Sequence, residues 1–81
     1  MNQLQVLLFA SYADAFGASS VTVGVPESAT VADVIGALRR LPGGDVLPDA
    51  PLVAVDRRYT RDLVAVHPGQ EIAVIPPVAG G

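Results

Sequence analysis

The 81 residues contain no cysteine and no lysine; all five basic side chains are arginines, and there is a single histidine. Without cysteine there is neither a disulfide nor a side-chain thiol, so any sulfur the protein carries must sit elsewhere, the terminal carboxyl being the one candidate. Without lysine, the only amine is that of Met1. A carboxyl terminus activated for amide formation could not build side-chain-linked polymers on its own kind and would have to modify another protein. Positive charge is scarce. The net charge of −3 argues against a nucleic-acid partner, since phosphate binding needs a basic face, and arginines cluster only at Arg39-Arg40 and Arg57-Arg58-Arg61. No apolar run approaches the roughly 18 residues of a membrane span. Met1-Asn2-Gln3 lacks the basic start of a secretory signal, so a cytoplasmic location without a membrane partner is expected.

What is present is largely apolar: 51% of residues are hydrophobic and 16% charged, the balance of a globular chain. A chain this short makes one domain, spanning residues 1–81. It buries only about 60–65% of the surface exposed when unfolded, leaving no room for a separate catalytic domain. Leu4 to Ala10 reads as a strand with Leu4, Val6, Leu8 and Ala10 on the core face and Gln5, Leu7 and Phe9 on the other. A loop or a partner must cover Leu7 and Phe9. Ser11 to Ser19 predicts one or two helical turns, Ser11 capping them, Gly17 ending them, Tyr12 and Phe16 paired at i, i+4, and Phe16 in the core. Val21, Val23 and Val25 alternate with Ser20, Thr22 and Gly24, the pattern of a half-buried strand paired with the first.

Thr30 is placed to cap a helix from Val31 to about Leu41, with Asp33 favourable to its dipole and Val31, Val34, Ile35, Leu38 and Leu41 forming one apolar stripe. Arg39 and Arg40 suit the dipole of the last turn and read as a solvated helix end. Gly36 costs roughly 1 kcal/mol against alanine there, with no evident reason. Gly43-Gly44 reads as a helix stop opening an irregular surface loop to Pro51. Leu52 to Val55 is a short strand, Asp56-Arg57-Arg58-Tyr59 a turn, and a brief strand follows near Tyr59 and Thr60. His67-Pro68-Gly69-Gln70 is another turn; its lone histidine, with no second ligand or carboxylate pair at hand, is structural. No metal site is expected.

The order strand, strand, helix, short strands, strand fits an α+β protein of the β-grasp class, a mixed sheet of four to five strands packed by one main helix. First and last strands would then run parallel at its centre. With Ile72 and Val74 in the core beside Val6 and Leu8, Ile75 and Phe9 emerge on the outer face, where Tyr59 can join them as a docking patch.

The chain ends Glu71-Ile72-Ala73-Val74-Ile75-Pro76-Pro77-Val78-Ala79-Gly80-Gly81. Ile72 to Ile75 has the branched composition of a strand, and Pro76-Pro77 cannot donate ladder hydrogen bonds, so residues 76–81 leave the sheet as a stiff, extended tail. Val78-Ala79-Gly80-Gly81 tapers until no side chain is left, allowing a carboxylate to thread a narrow channel.

This ending, the Phe9-Ala10 strand end with its short helix and Gly17, and the overall length resemble the small subunit of molybdopterin synthase, a ubiquitin-like sulfur-carrier family. The resemblance implies that the Gly81 carboxylate is adenylated by an ATP-dependent activating enzyme, converted to a thiocarboxylate, and inserted with Gly80 into a large subunit that builds the dithiolene of molybdopterin. It implies no bound cofactor, ATP being used by the activating enzyme. Phe9, Tyr59, Ile75, Pro76, Pro77, Val78 and Ala79 would contact the partner. Carriers for thiamine thiazole, cysteine or specialised metabolites share the fold and Gly-Gly. A ubiquitin-like protein modifier, and an interaction domain with an incidental Gly-Gly, are further readings.

Overall fold

Alternation dictates the first hairpin. In the computed structural model, which describes residues 2–60 and 64–76, β1 (Asn2–Leu8) and β2 (Ser20–Val25) pair antiparallel with Leu4 opposite Val23 and Val6 opposite Val21. Leu4, Val6, Leu8, Val23 and Val25 are buried, whereas Gln3, Gln5 and Thr22 face solvent. The expected strand to Ala10 is two residues too long. Ala10 takes a left-handed φ of 48° and begins α1 (Ala10–Phe16), so it is exposed rather than core.

The cap of α1 is Phe9, not Ser11, and it acts through its backbone: its carbonyl accepts from the amides of Tyr12 at 3.0 Å and Ala13 at 3.4 Å. Gly17 closes the helix at φ 75°, as expected. The aromatic residue fully inside is Tyr12, while Phe16 packs half-buried at the margin.

The main helix, α2 (Val31–Arg39), follows Thr30, whose amide donates to the Asp33 carboxylate at 2.9 Å. This satisfies a donor at the helix entry and brings negative charge to the positive end of the dipole. Val31, Val34, Ile35, Ala37 and Leu38 are buried against the sheet. Gly36 faces away, and a Cβ there would meet only the Arg40 guanidinium at 4.0 Å.

The segment after α2 is more ordered than an irregular loop. It contains a 3-10 turn, Gly44–Val46, and buries Leu47. Arg39 is no merely solvated helix end: its guanidinium donates to the carbonyls of Leu47 at 3.0 Å, Asp49 at 3.4 Å and Pro48, tying the segment to α2. Gly43-Gly44 likewise does more than stop a helix. A Cβ on Gly43 would collide with the Ala15 carbonyl, and one on Gly44 with that of Leu38, so two bare Cα positions let the segment wedge between the helices.

β3 (Leu52–Val55) and β4 (Arg58–Thr60) form a hairpin through Asp56 and Arg57. Both have positive φ, 52° and 70°, as a type I′ turn requires. β5 (Ile72–Ile75) lies between β1 and β3, parallel to the first and antiparallel to the second, completing the order β2-β1-β5-β3-β4. This is the β-grasp arrangement, with five strands and one main helix. No helix among the described residues is long and apolar enough to cross a membrane.

Gly36→Ala should raise stability by about 0.5–1 kcal/mol by removing backbone entropy at an unobstructed helix position. Gly44→Ala should lower it by several-fold more, since backbone atoms must move. Urea denaturation of the two variants beside the parent checks both signs.

Candidate functional site

β5 sets the site because it is both a central strand and the approach to the tail. Val6 pairs with Ile72 and Leu8 with Val74, and Val6, Ile72 and Val74 are wholly buried. Parity then puts Ala73 and Ile75 on the outer face.

The far end of β5 is anchored by polar contacts. Asp56 donates its amide to the Glu71 carbonyl at 2.7 Å, and its carboxylate accepts from the Glu71 amide at 2.9 Å and the Gln70 side-chain amide at 3.3 Å. These bonds offset the cost of a left-handed aspartate and hold the strand in register. The exposed Arg57–Glu71 pair at 3.6 Å adds at most about 1 kcal/mol. His67 is exposed in the neighbouring turn, its amide donating to the Gln70 side chain at 2.6 Å. Among the described residues no group of three or more His, Cys, Asp or Glu could hold a metal ion.

The outer face is divided. Its β1–β2 half carries Gln3, Gln5, Ser20 and Thr22, with the Gln5 amide donating to the Ser20 hydroxyl at 3.2 Å. The other half is apolar. One cross-strand row runs Leu7, Ala73, Ala54, Tyr59, and the next, nearer the tail, pairs Ile75 with Leu52. Phe9 stands one residue beyond the Leu8–Val74 pair, at the end of this second row. Phe9 is 46% exposed, Leu52 44% and Tyr59 69%, and Ile75 and Pro76 are half-buried. The structure thus brings Phe9, Tyr59 and Ile75 to one face in two adjacent rows, with Pro76 directly following β5. Sequence reasoning missed Leu52, Ala54 and Ala73, whose membership follows from the β3–β5 register. Pro77, Val78, Ala79, Gly80 and Gly81 lie outside the described residues.

The described surface is an apolar outer face beside β5 with no converging catalytic groups within it. Comparison with known proteins agrees in scale and shape. The sequence profile described as the ThiS family matches residues 6–81. The molybdopterin synthase sulfur carrier subunit of Homo sapiens is 35% identical over 83 residues, covering 98% of this chain and 94% of that protein. Its counterpart in Dictyostelium discoideum is 33% identical over 84 residues, covering 99% and 98%. The crystal structure of SAMP1 from Haloferax volcanii, small archaeal modifier protein 1, superposes with a TM-score of 0.85 at 29% identity, covering 99% of this chain and all of that one.

Adjacent β3 residues test the two-faced geometry. Leu52→Asp should change stability by less than about 1 kcal/mol, whereas Val53→Asp, placing a carboxylate in the core, should cost more than about 4 kcal/mol or prevent folding. Circular dichroism melts of both variants provide the comparison.

Proposed function

The chain belongs to the ThiS family, and we propose that within it the protein is the sulfur-carrier subunit of a molybdopterin synthase, working in the cytoplasm on the molybdenum-cofactor pathway. The observation that carries this reading is the near end-to-end match to the human sulfur carrier subunit, in a chain whose final residues are Gly80 and Gly81. The apolar face beside β5 supports it, because a carrier must be held while its tail reaches into another protein.

In this reading the Gly81 carboxylate attacks the α-phosphorus of ATP on an activating enzyme, giving an acyl-adenylate and releasing pyrophosphate. The outer sulfur of a persulfide on the donor then displaces AMP to give an acyl disulfide, and a second donor thiol cleaves its S–S bond, releasing the thiocarboxylate and leaving a disulfide on the donor. The thiocarboxylate is ionised and nucleophilic at neutral pH, so it attacks an activated carbon of the pterin precursor and displaces that carbon's oxygen substituent, and hydrolysis of the resulting thioester leaves the thiol on the pterin and returns the Gly81 carboxylate. The large synthase subunit supplies pterin binding and proton transfer. Phe9, Tyr59 and Ile75 dock onto it, and Pro76, Pro77, Val78, Ala79 and Gly80 guide the terminus into its channel. The carrier itself binds no cofactor.

The likeness to SAMP1 supports a second reading, a protein modifier joined through Gly81 to lysines of other proteins. The intact mass of protein purified gently from its own cells separates the two. A carrier shows the mass gain of sulfur replacing one oxygen, lost on hydroxylamine treatment; a modifier appears instead in covalent protein adducts.

Deleting Gly81 should leave the thermal midpoint unchanged and abolish activation, measured as ATP-dependent pyrophosphate exchange with the activating enzyme; an unaltered exchange rate would remove Gly81 from the chemistry. Phe9→Asp and Ile75→Asp should each weaken binding of the large subunit by about 2 kcal/mol or more through desolvation of a charge, read by titration calorimetry on folded variants.

A further inference from the structure

The sheet has two outer edges, β2 and β4, and they differ. β4 is only three residues long, carries Arg58 and follows a left-handed turn, features by which sheets discourage further pairing. β2 has none of these. It runs for six residues, Ser20–Val25, with no charge, no proline and an unbroken register against β1. The Leu8 amide donates to the Ser19 carbonyl at 2.8 Å, one step beyond the Leu7–Ser20 pair. Hydrogen-bonded pairs alternate along an antiparallel ladder, so those of β2 are Val21, Val23 and Val25, while the amides and carbonyls of Ser20, Thr22 and Gly24 point outward. Among the described residues, no other element offers these groups a backbone hydrogen bond. Thr22 is exposed, and Val21 packs on the core yet stays half-buried.

We propose that this edge pairs with the same edge of a second copy, antiparallel about a two-fold axis at Thr22. In that register Ser20 of one copy stands opposite Gly24 of the other and Thr22 opposite Thr22, so the outward backbone groups all gain partners. Val21 falls opposite Val23, which completes its burial. The two faces of the sheet select the occupant. An added strand must be apolar on the α2 side, beside Val21, Val23 and Val25, and polar without charge on the other, beside Gln3, Gln5 and Thr22. β2 itself has this alternation. β4 does not, since its register sets Arg58 and Thr60 on the α2 side and Tyr59 on the other. Two-fold pairing also brings like residues together, which is costly for charged strands, and neither β1 nor β2 carries a charge. Pairing through β2 is independent of the sulfur-carrier reading, because the apolar rows belong mainly to the other half of the sheet and remain uncovered at the two ends of the dimer.

Sedimentation equilibrium of the parent should show a monomer–dimer equilibrium with a Kd between about 1 µM and 1 mM. Thr22→Lys and Thr22→Glu should each weaken it at least about tenfold, because the two-fold sets like charges directly opposite. An equal mixture of the two variants should dimerise again, a rescue that a folding defect cannot produce. Both should keep the parent's thermal midpoint within a few degrees, as Thr22 is exposed and its backbone takes no part in the β1–β2 ladder. Leu52→Asp, on the apolar rows, should leave the dimer intact. A parent that is monomeric at about 1 mM overturns the proposal and leaves the edge to a foreign strand. A dimer lost in Leu52→Asp but kept in both Thr22 variants assigns the contact to the apolar rows and overturns it too. Thr22 variants that unfold overturn the outward placement, and variants that dissociate without rescue on mixing overturn the two-fold register.

Discussion

The parallel pairing of β1 with β5 is the constraint on which the rest depends. It joins the first strand to the last and places Val6, Leu8, Ile72 and Val74 in one buried layer beneath α2. Parallel strands cannot be joined by a tight turn, so everything between them is their crossover. That intervening chain supplies the helix covering the layer and the hairpin flanking it. Because side chains alternate, burying Ile72 and Val74 also determines that Ala73 and Ile75 face outward. Core formation and presentation of the apolar outer face are therefore one geometric event, and a slip of β5 by one residue would invert both.

Much of this was legible from periodicity. The alternation in Ser20–Val25, the stripe Val31, Val34, Ile35 and Leu38 of α2 and the parity of β5 survive, because each reports directly on what water excludes; Leu41, expected on that stripe, lies half-buried beyond the helix end at Arg39. Boundaries and close approaches were not. Ala10 reads as strand until its left-handed φ is seen, and a small residue carries no mark of that conformation. Gly43 and Gly44 read as punctuation, since their partners, the carbonyls of Ala15 and Leu38, are distant in sequence or hidden by helix geometry. Arg39 shows its charge in the sequence, but not the loop carbonyls it satisfies.

The site divided in the same way. Phe9, Tyr59 and Ile75 could be placed because they are large and occur where apolar residues would otherwise be wasted. Parity with Ile75 places Ala73 on the outer face, but Ala54 could not be placed, since alanine at a strand position is compatible with either face, and the membership of both in the apolar rows needs the cross-strand register. Registers between β1, β5, β3 and β4 convert four separate runs of sequence into two rows. The chemistry proposed for Gly81 rests on the ending and on the absence of cysteine and lysine.

The position of β5 also governs when the molecule can be made. It follows the other described strands in the chain, yet it sits between β1 and β3, so until Ile72–Ile75 are in place the β1–β2 and β3–β4 hairpins have unsatisfied inner edges. Such edges invite pairing with other chains. Synthesis from the amino end therefore cannot complete this sheet piecemeal; closure awaits β5, the strand that both inner edges require.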